Sequence, residues 1–265
     1  MKVGLDPILL LSLVLIGVVA GLVTSLVGAS GVMIIVPALN LLQGFPIHTS
    51  IGTSLLVDVI ASLAVAYGYH RHGNVDLRPG ALMALGSIAG AQVGALFCQF
   101  IPDLGLRWAF GLMLILSGVG MWKGGARREE YLERIRGRAN LKSSWARRLV
   151  PLLLGFLIGL NGGIFGAGGG LLILLVLLFL LNYPTHMAVG TSTLIMAITA
   201  ASGTVGYALQ GNINLLAGAV IGLGTILGGY GGTVFANLAD EETFSKVVGA
   251  MFILLGIFMI ILRLI

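Results

Sequence analysis

Residues 155–170 read GFLIGLNGGIFGAGGG, and residues 17–32 read GVVAGLVTSLVGASGV. Offset by 138 positions, the two stretches share Gly17 with Gly155, Gly21 with Gly159, Gly28 with Gly166, Ala29 with Ala167 and Gly31 with Gly169. The register continues without a gap over 17–122 and 155–260. Pro46 and His48 fall on Pro184 and His186, and Gly52-Thr53-Ser54 falls on Gly190-Thr191-Ser192. Gly68-Tyr69 and Gly73-Asn74 fall on Gly206-Tyr207 and Gly211-Asn212. Chance composition does not hold one register over such a length, so the chain reads as a duplicated unit.

The solvent of that unit follows from composition. Hydrophobic residues make up 57% of the 265 and charged residues 9%, with a mean hydropathy of +1.04. Soluble domains carry about 25% charged residues, which excludes an ordinary water-soluble domain. The 41 glycines lack the strict third-residue period of collagen and are dispersed through apolar runs. Small residues of this kind let membrane helices approach closely. The fold class is therefore an all-α polytopic membrane protein, built from two homologous five-segment repeats.

Polar and turn-forming points divide the first unit into apolar segments near 8–27, 32–43, 48–69, 79–100 and 106–122. In the second unit they lie near 149–165, 170–182, 186–208, 215–237 and 244–262. A straight crossing needs about 20 residues, so the second segment of each unit is too short to cross untilted. Each follows a glycine-rich interruption, giving a glycine-broken short helix pair in both halves. Short interrupted segments at matching places are the strongest sequence pointer to a transporter's binding site. The expected organisation is a first transmembrane repeat over 1–122, a basic cytoplasmic linker over 123–147 and a second repeat over 148–265. The N-terminal apolar run has a counterpart deep in the chain, which argues against its being a cleaved signal peptide.

Charge sets the expected topology. Segment 123–148 holds nine Lys/Arg against three Glu, and the remainder holds six basic and seven acidic residues. A basic loop between apolar blocks is a positive-inside signal before it is a nucleic-acid patch, and no nucleic-acid partner is expected. If the first two segments form a hairpin, each unit crosses an odd number of times and the second copy is inverted. The linker and the loop His70–Arg78 are then cytoplasmic, and the uncharged loop Gln210–Asn214 is outside. A parallel arrangement places Lys2, Arg263 and Asp240–Glu242 better. It makes 149–182 a single crossing, however, and those residues would span about 50 Å as helix, against a core about 30 Å thick.

The candidate site is assembled from the interruptions and the polar residues beside them. Half-helix starts expose N–H groups and favour anions, which assigns Ser30, Gly31, Asn161, Gly168 and Gly169 to substrate binding. Thr53, Ser54, Thr191 and Ser192 are hydroxyls two turns into the third helix of each unit, either back-bonded to that helix or facing the substrate. His48 and His186 either anchor helix ends or line the substrate path. Asp58 is the one acidic residue amid an apolar run, a position that is functional by default, and it is assigned to proton coupling. Asn40, Gln43 and Gln92 read as helix glue. Trp108, Trp122, Tyr67, Tyr69 and Tyr207 suit the aromatic belts. Cys98 is a packed thiol. No metal or cofactor motif is present, and neither a His-Glu-x-x-His pattern nor an intramembrane acid–base pair supports an enzyme.

These elements, Gly28–Gly31 with Gly52–Ser54 and Gly162–Gly170 with Gly190–Ser192, resemble the sulfite exporter TauE/SafE family. The resemblance implies an inner-membrane transporter of small sulfur oxyanions or organosulfonates, such as sulfite or sulfoacetate. The first interruption departs from the glycine-rich form, with Ser30 and Val32 where the second has Gly168 and Gly170. The expected function is a secondary transporter exporting a small anion, driven by the proton gradient, with protons and the lipid bilayer as partners. A passive anion channel is the alternative, and the sequence leaves room for a homodimer.

Overall fold

The structure is a computed structural model that describes residues 7–27, 30–78, 80–124, 144–166, 169–181, 183–235 and 241–261. The helices are α1 (Pro7–Val27), α2 (Val32–Pro37), α3 (Ile47–Arg71), α4 (Ala81–Cys98) and α5 (Asp103–Gly124). They continue with α6 (Ser144–Phe165), α7 (Gly170–Phe179), α8 (Thr185–Leu209), α9 (Leu215–Phe235) and α10 (Glu241–Ile261). A π-helical turn, Ala38–Leu42, extends α2. No strand occurs among the described residues.

Among the described residues, six helices are long and apolar enough to cross a membrane, over Pro7–Thr24, Ile47–Arg71, Ala81–Cys98, Asp103–Gly120, Arg148–Phe165 and Met187–Leu209. Val32–Leu42, Leu215–Tyr230 and Lys246–Ile261 are shorter apolar helices. The multi-pass membrane class expected from composition is therefore the class observed. Boundaries differ in three places for local reasons. Pro37 has no N–H and its ring crowds the carbonyl four residues back, so the expected straight segment 32–43 widens into the π turn. The helix expected from 106 starts at Asp103, where the Leu106 N–H reaches Pro102 O at 3.0 Å. Residues 144–147, expected in the linker, are the first turn of α6, and 125–143 lie outside the described residues.

Glycine decides which helices touch. A Cβ added to Gly86, Gly90 or Gly94 of α4 would lie 2.1, 2.0 or 2.4 Å from the carbonyl oxygens of Leu152, Phe156 or Leu160 of α6. A Cβ on Gly17 or Gly21 of α1 would lie 2.3 or 2.2 Å from Ile221 O or Thr225 O of α9. Backbones are in direct contact at these lines, which only glycine permits. Successive contacts climb both partners together, so α1 runs parallel to α9 and α4 parallel to α6.

The third helices pair the other way. Gly52, near the start of α3, meets Tyr207 and Asn212 at the end of α8, and Gly190 near the start of α8 meets Tyr69 and Asn74 at the end of α3. Helices α3 and α8 are therefore antiparallel. Leu56 and Ile60 of α3 meet Gly218 and Gly222 of α9, so α1, α3 and α9 share a direction. Thr199 donates to Ser87 Oγ at 2.7 Å and Gln210 to Ala95 O at 3.0 Å, which gives α4, α6 and α8 the opposite one. The chain must then return between α1 and α3. It does so through α2 and the π turn, where Gln43 Nε2 donates to Ser12 Oγ at 2.7 Å. Gln92 Nε2 likewise ties α4 to Ser202 O of α8 at 2.7 Å.

Leu13, Ile35, Leu39, Ile51, Leu55, Phe110 and Phe252 are fully buried in the core, whereas Leu11 and Leu15 of α1 and Leu153 and Leu157 of α6 face outward. Tyr207 corrects an expectation. It is 0% exposed rather than placed in an aromatic belt, and its hydroxyl donates to Gly163 O at 3.0 Å. The carbonyls at the end of α6 have no next turn to accept from, and a phenol reaching from α8 supplies the donor.

Candidate functional site

Asp58 sits halfway along α3 and is 4% exposed. The Ser30 hydroxyl donates to Asp58 Oδ1 at 3.2 Å, and the Val32 N–H points at Ser30 Oγ at 3.4 Å. A short relay thus runs from the first amide of α2 through one hydroxyl to the carboxylate. Gly31 directly follows Ser30, and a Cβ there would come within 3.0 Å of Thr24 Oγ1 of α1.

The end of α6 approaches the same place. Gly166 has φ +72°, and a Cβ on it would lie 3.0 Å from Ser54 Oγ and 3.3 Å from Val32 Cγ1. Ser54 precedes Asp58 by one turn of α3, and its hydroxyl is back-bonded to Ile51 O at 2.7 Å. Gly169 caps α7 at φ +64°, and its Cβ position is 2.3 Å from Ile158 Cγ2. Residues of this conformation are costly for any side chain. At the start of α7, the Cβ position of Gly170 is 2.4 Å from Sδ of Met196 of α8. One interruption is thus backed by a carboxylate and the other by a thioether.

The structure brings together Ser30, Gly31, Ser54, Asp58 and the end of α6. Asn161 is exposed on α6, one turn before the chain leaves that helix. Ser192 is buried and back-bonded to Val189 O at 2.9 Å. Gly168 lies outside the described residues, as does the side chain of His186, whose backbone is in the first turn of α8.

Thr53 and Thr191 have other occupations. Thr53 Oγ1 accepts from Asn214 N at 3.0 Å, and Thr191 Oγ1 accepts from Asp76 N at 3.0 Å. The Thr53 hydroxyl holds the loop that follows α8, and the Thr191 hydroxyl holds the loop that follows α3. His48 lies at the start of α3, with Nδ1 2.7 Å from Asp103 Oδ1 and Nε2 3.0 Å from Cys98 O. It pins α3, α4 and α5 at one end of the bundle, ten residues from Asp58, or about 15 Å along the helix.

The sequence analysis assigns no role to Arg107, although it lies four residues after Asp103 within an apolar run. Asn40, expected as glue, donates from Nδ2 to Phe45 O at 2.7 Å. Among the described residues, no group of three or more His, Cys, Asp or Glu side chains could hold a metal ion.

Comparison with known proteins agrees with a membrane transporter scaffold. The chain is 28% identical to the probable membrane transporter protein YunE of Bacillus subtilis, over 92% of its own length and 94% of that protein. It is 28% identical to the probable membrane transporter protein YdhB of the same organism, over 89% and 94%. A probable membrane transporter protein of Xylella fastidiosa is also 28% identical, over 92% of each chain. No solved structure matches. The profile of the sulfite exporter TauE/SafE family matches residues 13–259, nearly the whole helical bundle, and the chain belongs to that family.

Proposed function

We propose that the protein exports a small oxyanion, sulfite or an organosulfonate such as sulfoacetate, across the plasma membrane by proton-coupled secondary transport. The site lies between the two glycine interruptions, and the units form inverted repeats with segment 123–147 on the cytoplasmic side. The observation that carries this reading is the Ser30–Asp58 hydrogen bond at 3.2 Å, set where Gly166 approaches Val32 and Ser54. The opposed directions of α1 and α6 favour inversion. Ser30, Gly31, Ser54, Gly168 and Gly169 surround the substrate in this reading, with Asn161 and Ser192 at its margin. Thr53, Thr191 and His48 hold the walls rather than the anion.

Asp58 makes coupling a matter of electrostatics. An anion next to an ionised carboxylate is repelled strongly at low dielectric, whereas a protonated Asp58 can coexist with it. Protonation and anion binding therefore help one another, and by linkage each raises the affinity for the other equally. Proton and anion then travel together, the proton balancing the charge of the substrate as it leaves down its own gradient.

Flux of radiolabelled sulfite in proteoliposomes tests this, with sulfoacetate as competitor and empty liposomes as control. Saturable efflux that quickens when the substrate side is acidified is the expected result. Protein-dependent flux that ignores the pH gradient would instead favour a passive channel. No protein-dependent flux would withdraw sulfite as the substrate.

A further inference from the structure

The second interruption has two electrostatically opposite walls. Helix α6 ends at Phe165 and α7 begins at Gly170. The last carbonyls of a helix together carry about half a negative charge, and the first amides of the next about half a positive one. An oxyanion between them is drawn to the start of α7 and repelled by the end of α6. With both walls bare, such a break has little preference for the sign of its ligand.

The end of α6 is not bare. Gly162 O accepts from Gly166 N at 2.8 Å. Gly163 O and Ile164 O, next along the helix, accept from side chains of other helices. The Tyr207 hydroxyl of α8 donates to Gly163 O at 3.0 Å and lies 3.5 Å from Ile164 O. The Cys98 thiol of α4 donates more weakly to Ile164 O at 3.7 Å. Tyr207 is fully buried, and α3 backs it: a Cβ added to Gly52 would lie 2.9 Å from Tyr207 Cβ. The phenol is therefore held where it is. Gly163 precedes Gly166 by three residues, about 5 Å of helical rise, and Gly166 is the residue that approaches Ser54 and Val32.

We infer, taking the substrate to lie between the interruptions as proposed above, that Tyr207 is a positioning residue that sets the charge preference of the site. Its hydroxyl sets a partial positive charge against the Gly163 carbonyl and keeps that oxygen turned towards α8, so the amides of α7 dominate what an anion meets. Repulsion by an uncapped carbonyl scales with the charge of the ligand. Its exposure therefore costs a dianion about the square of the factor it costs a monoanion.

Binding in detergent tests this without a gradient or transport. Dissociation constants for ethanesulfonate, a monoanion, and sulfoacetate, a dianion of nearly the same shape, are measured by calorimetry on the purified chain at neutral pH. Tyr207→Phe keeps the ring and removes the donor. It should weaken ethanesulfonate about threefold and sulfoacetate about tenfold, moving the ratio of the two constants about threefold. Cys98→Ala withdraws only the weaker donor and should move the ratio the same way by less. Gln43→Ala removes a different interhelical hydrogen bond, to Ser12 at 2.7 Å, and should leave the ratio unchanged, because a loss of packing alone affects both ligands alike.

A ratio unchanged by Tyr207→Phe, or by Cys98→Ala should the phenylalanine variant not remain monodisperse, would overturn the role of Tyr207. An equal shift in Gln43→Ala would overturn it too. No binding of either sulfonate by the native chain would overturn it together with the proposed substrate class. The expected ratios without proton-dependent flux would sink coupled export and leave the role of Tyr207 standing.

Discussion

Replacing Gly169 with alanine tests the backbone at the second interruption quantitatively. The residue has φ +64°, and its Cβ position is 2.3 Å from Ile158 Cγ2. The left-handed conformation costs a non-glycine residue about 1–2 kcal/mol. Carbon atoms in ordinary contact sit about 3.5–4.0 Å apart, so the methyl group overlaps a buried side chain. Overpacking of this kind costs about 1–3 kcal/mol. The total is about 3 kcal/mol, roughly a hundredfold in the population of the native arrangement.

The two contributions separate in a double variant. Ile158→Ala removes Cγ2 and relieves the overlap, but it leaves the backbone strain in place. Alone it creates a cavity costing about 2–5 kcal/mol. Gly169→Ala with Ile158→Ala should therefore be less destabilised than the sum of the singles by about 1–3 kcal/mol. Titration with SDS in mixed micelles measures the free energies, and reconstituted flux reports whether the altered break still transports. A single variant within about 0.5 kcal/mol of wild type, or strictly additive energies, would refute the argument.

Three further outcomes are expected. Asp58→Asn keeps an acceptor for Ser30 but removes the titrating proton, so protein-dependent sulfite flux should lose its response to an imposed pH gradient; an unchanged response would remove Asp58 from coupling. Gly52→Ala and Gly190→Ala each place a Cβ 2.1 Å from a carbonyl oxygen, Asn212 O and Asn74 O respectively. Each should cost at least about 2 kcal/mol and lower the yield of monodisperse protein, and wild-type yield from either would show that the pairing of α3 with α8 is misjudged. Cysteines at 74 and 212 should react with an impermeant reagent from opposite faces of the membrane, and labelling from one face would reject inverted repeats.

Helix number and position were legible because apolar runs and their interruptions follow directly from burial in lipid. The short segment at 170 could be placed from its consecutive glycines, which do not propagate a helix, and the one at 32 from its register with it. Asp58 stood out because a carboxylate amid valines has no packing rationale. What sequence could not supply was the identity of neighbours across the fold. Thr53 and Thr191 recur in register, and recurrence alone suggested the substrate. The structure occupies both hydroxyls with loop amides, Asn214 N on Thr53 and Asp76 N on Thr191. Tyr207 sits near a helix end as a belt residue would, but the carbonyl it satisfies belongs to a helix 44 positions earlier. Asn40 and Arg107 line one cavity because the chain turns at Gln43–Pro46 after the π turn and α5 begins at Asp103.

The close pairing of α1 with α9 and of α4 with α6 bears on how the chain is made. When synthesis has reached Gly124, the glycine faces of α1 and α4 have no partner, because α6 and α9 have not yet been translated. The first half must wait in the bilayer with open backbone grooves until the second half arrives. Insertion of individual helices can therefore proceed in order from the N-terminus, whereas the pairing of α4 waits for α6 and that of α1 waits for α9. A nascent chain halted near residue 124 should be membrane-integrated yet susceptible to quality-control proteolysis, with protection appearing only after α9 emerges.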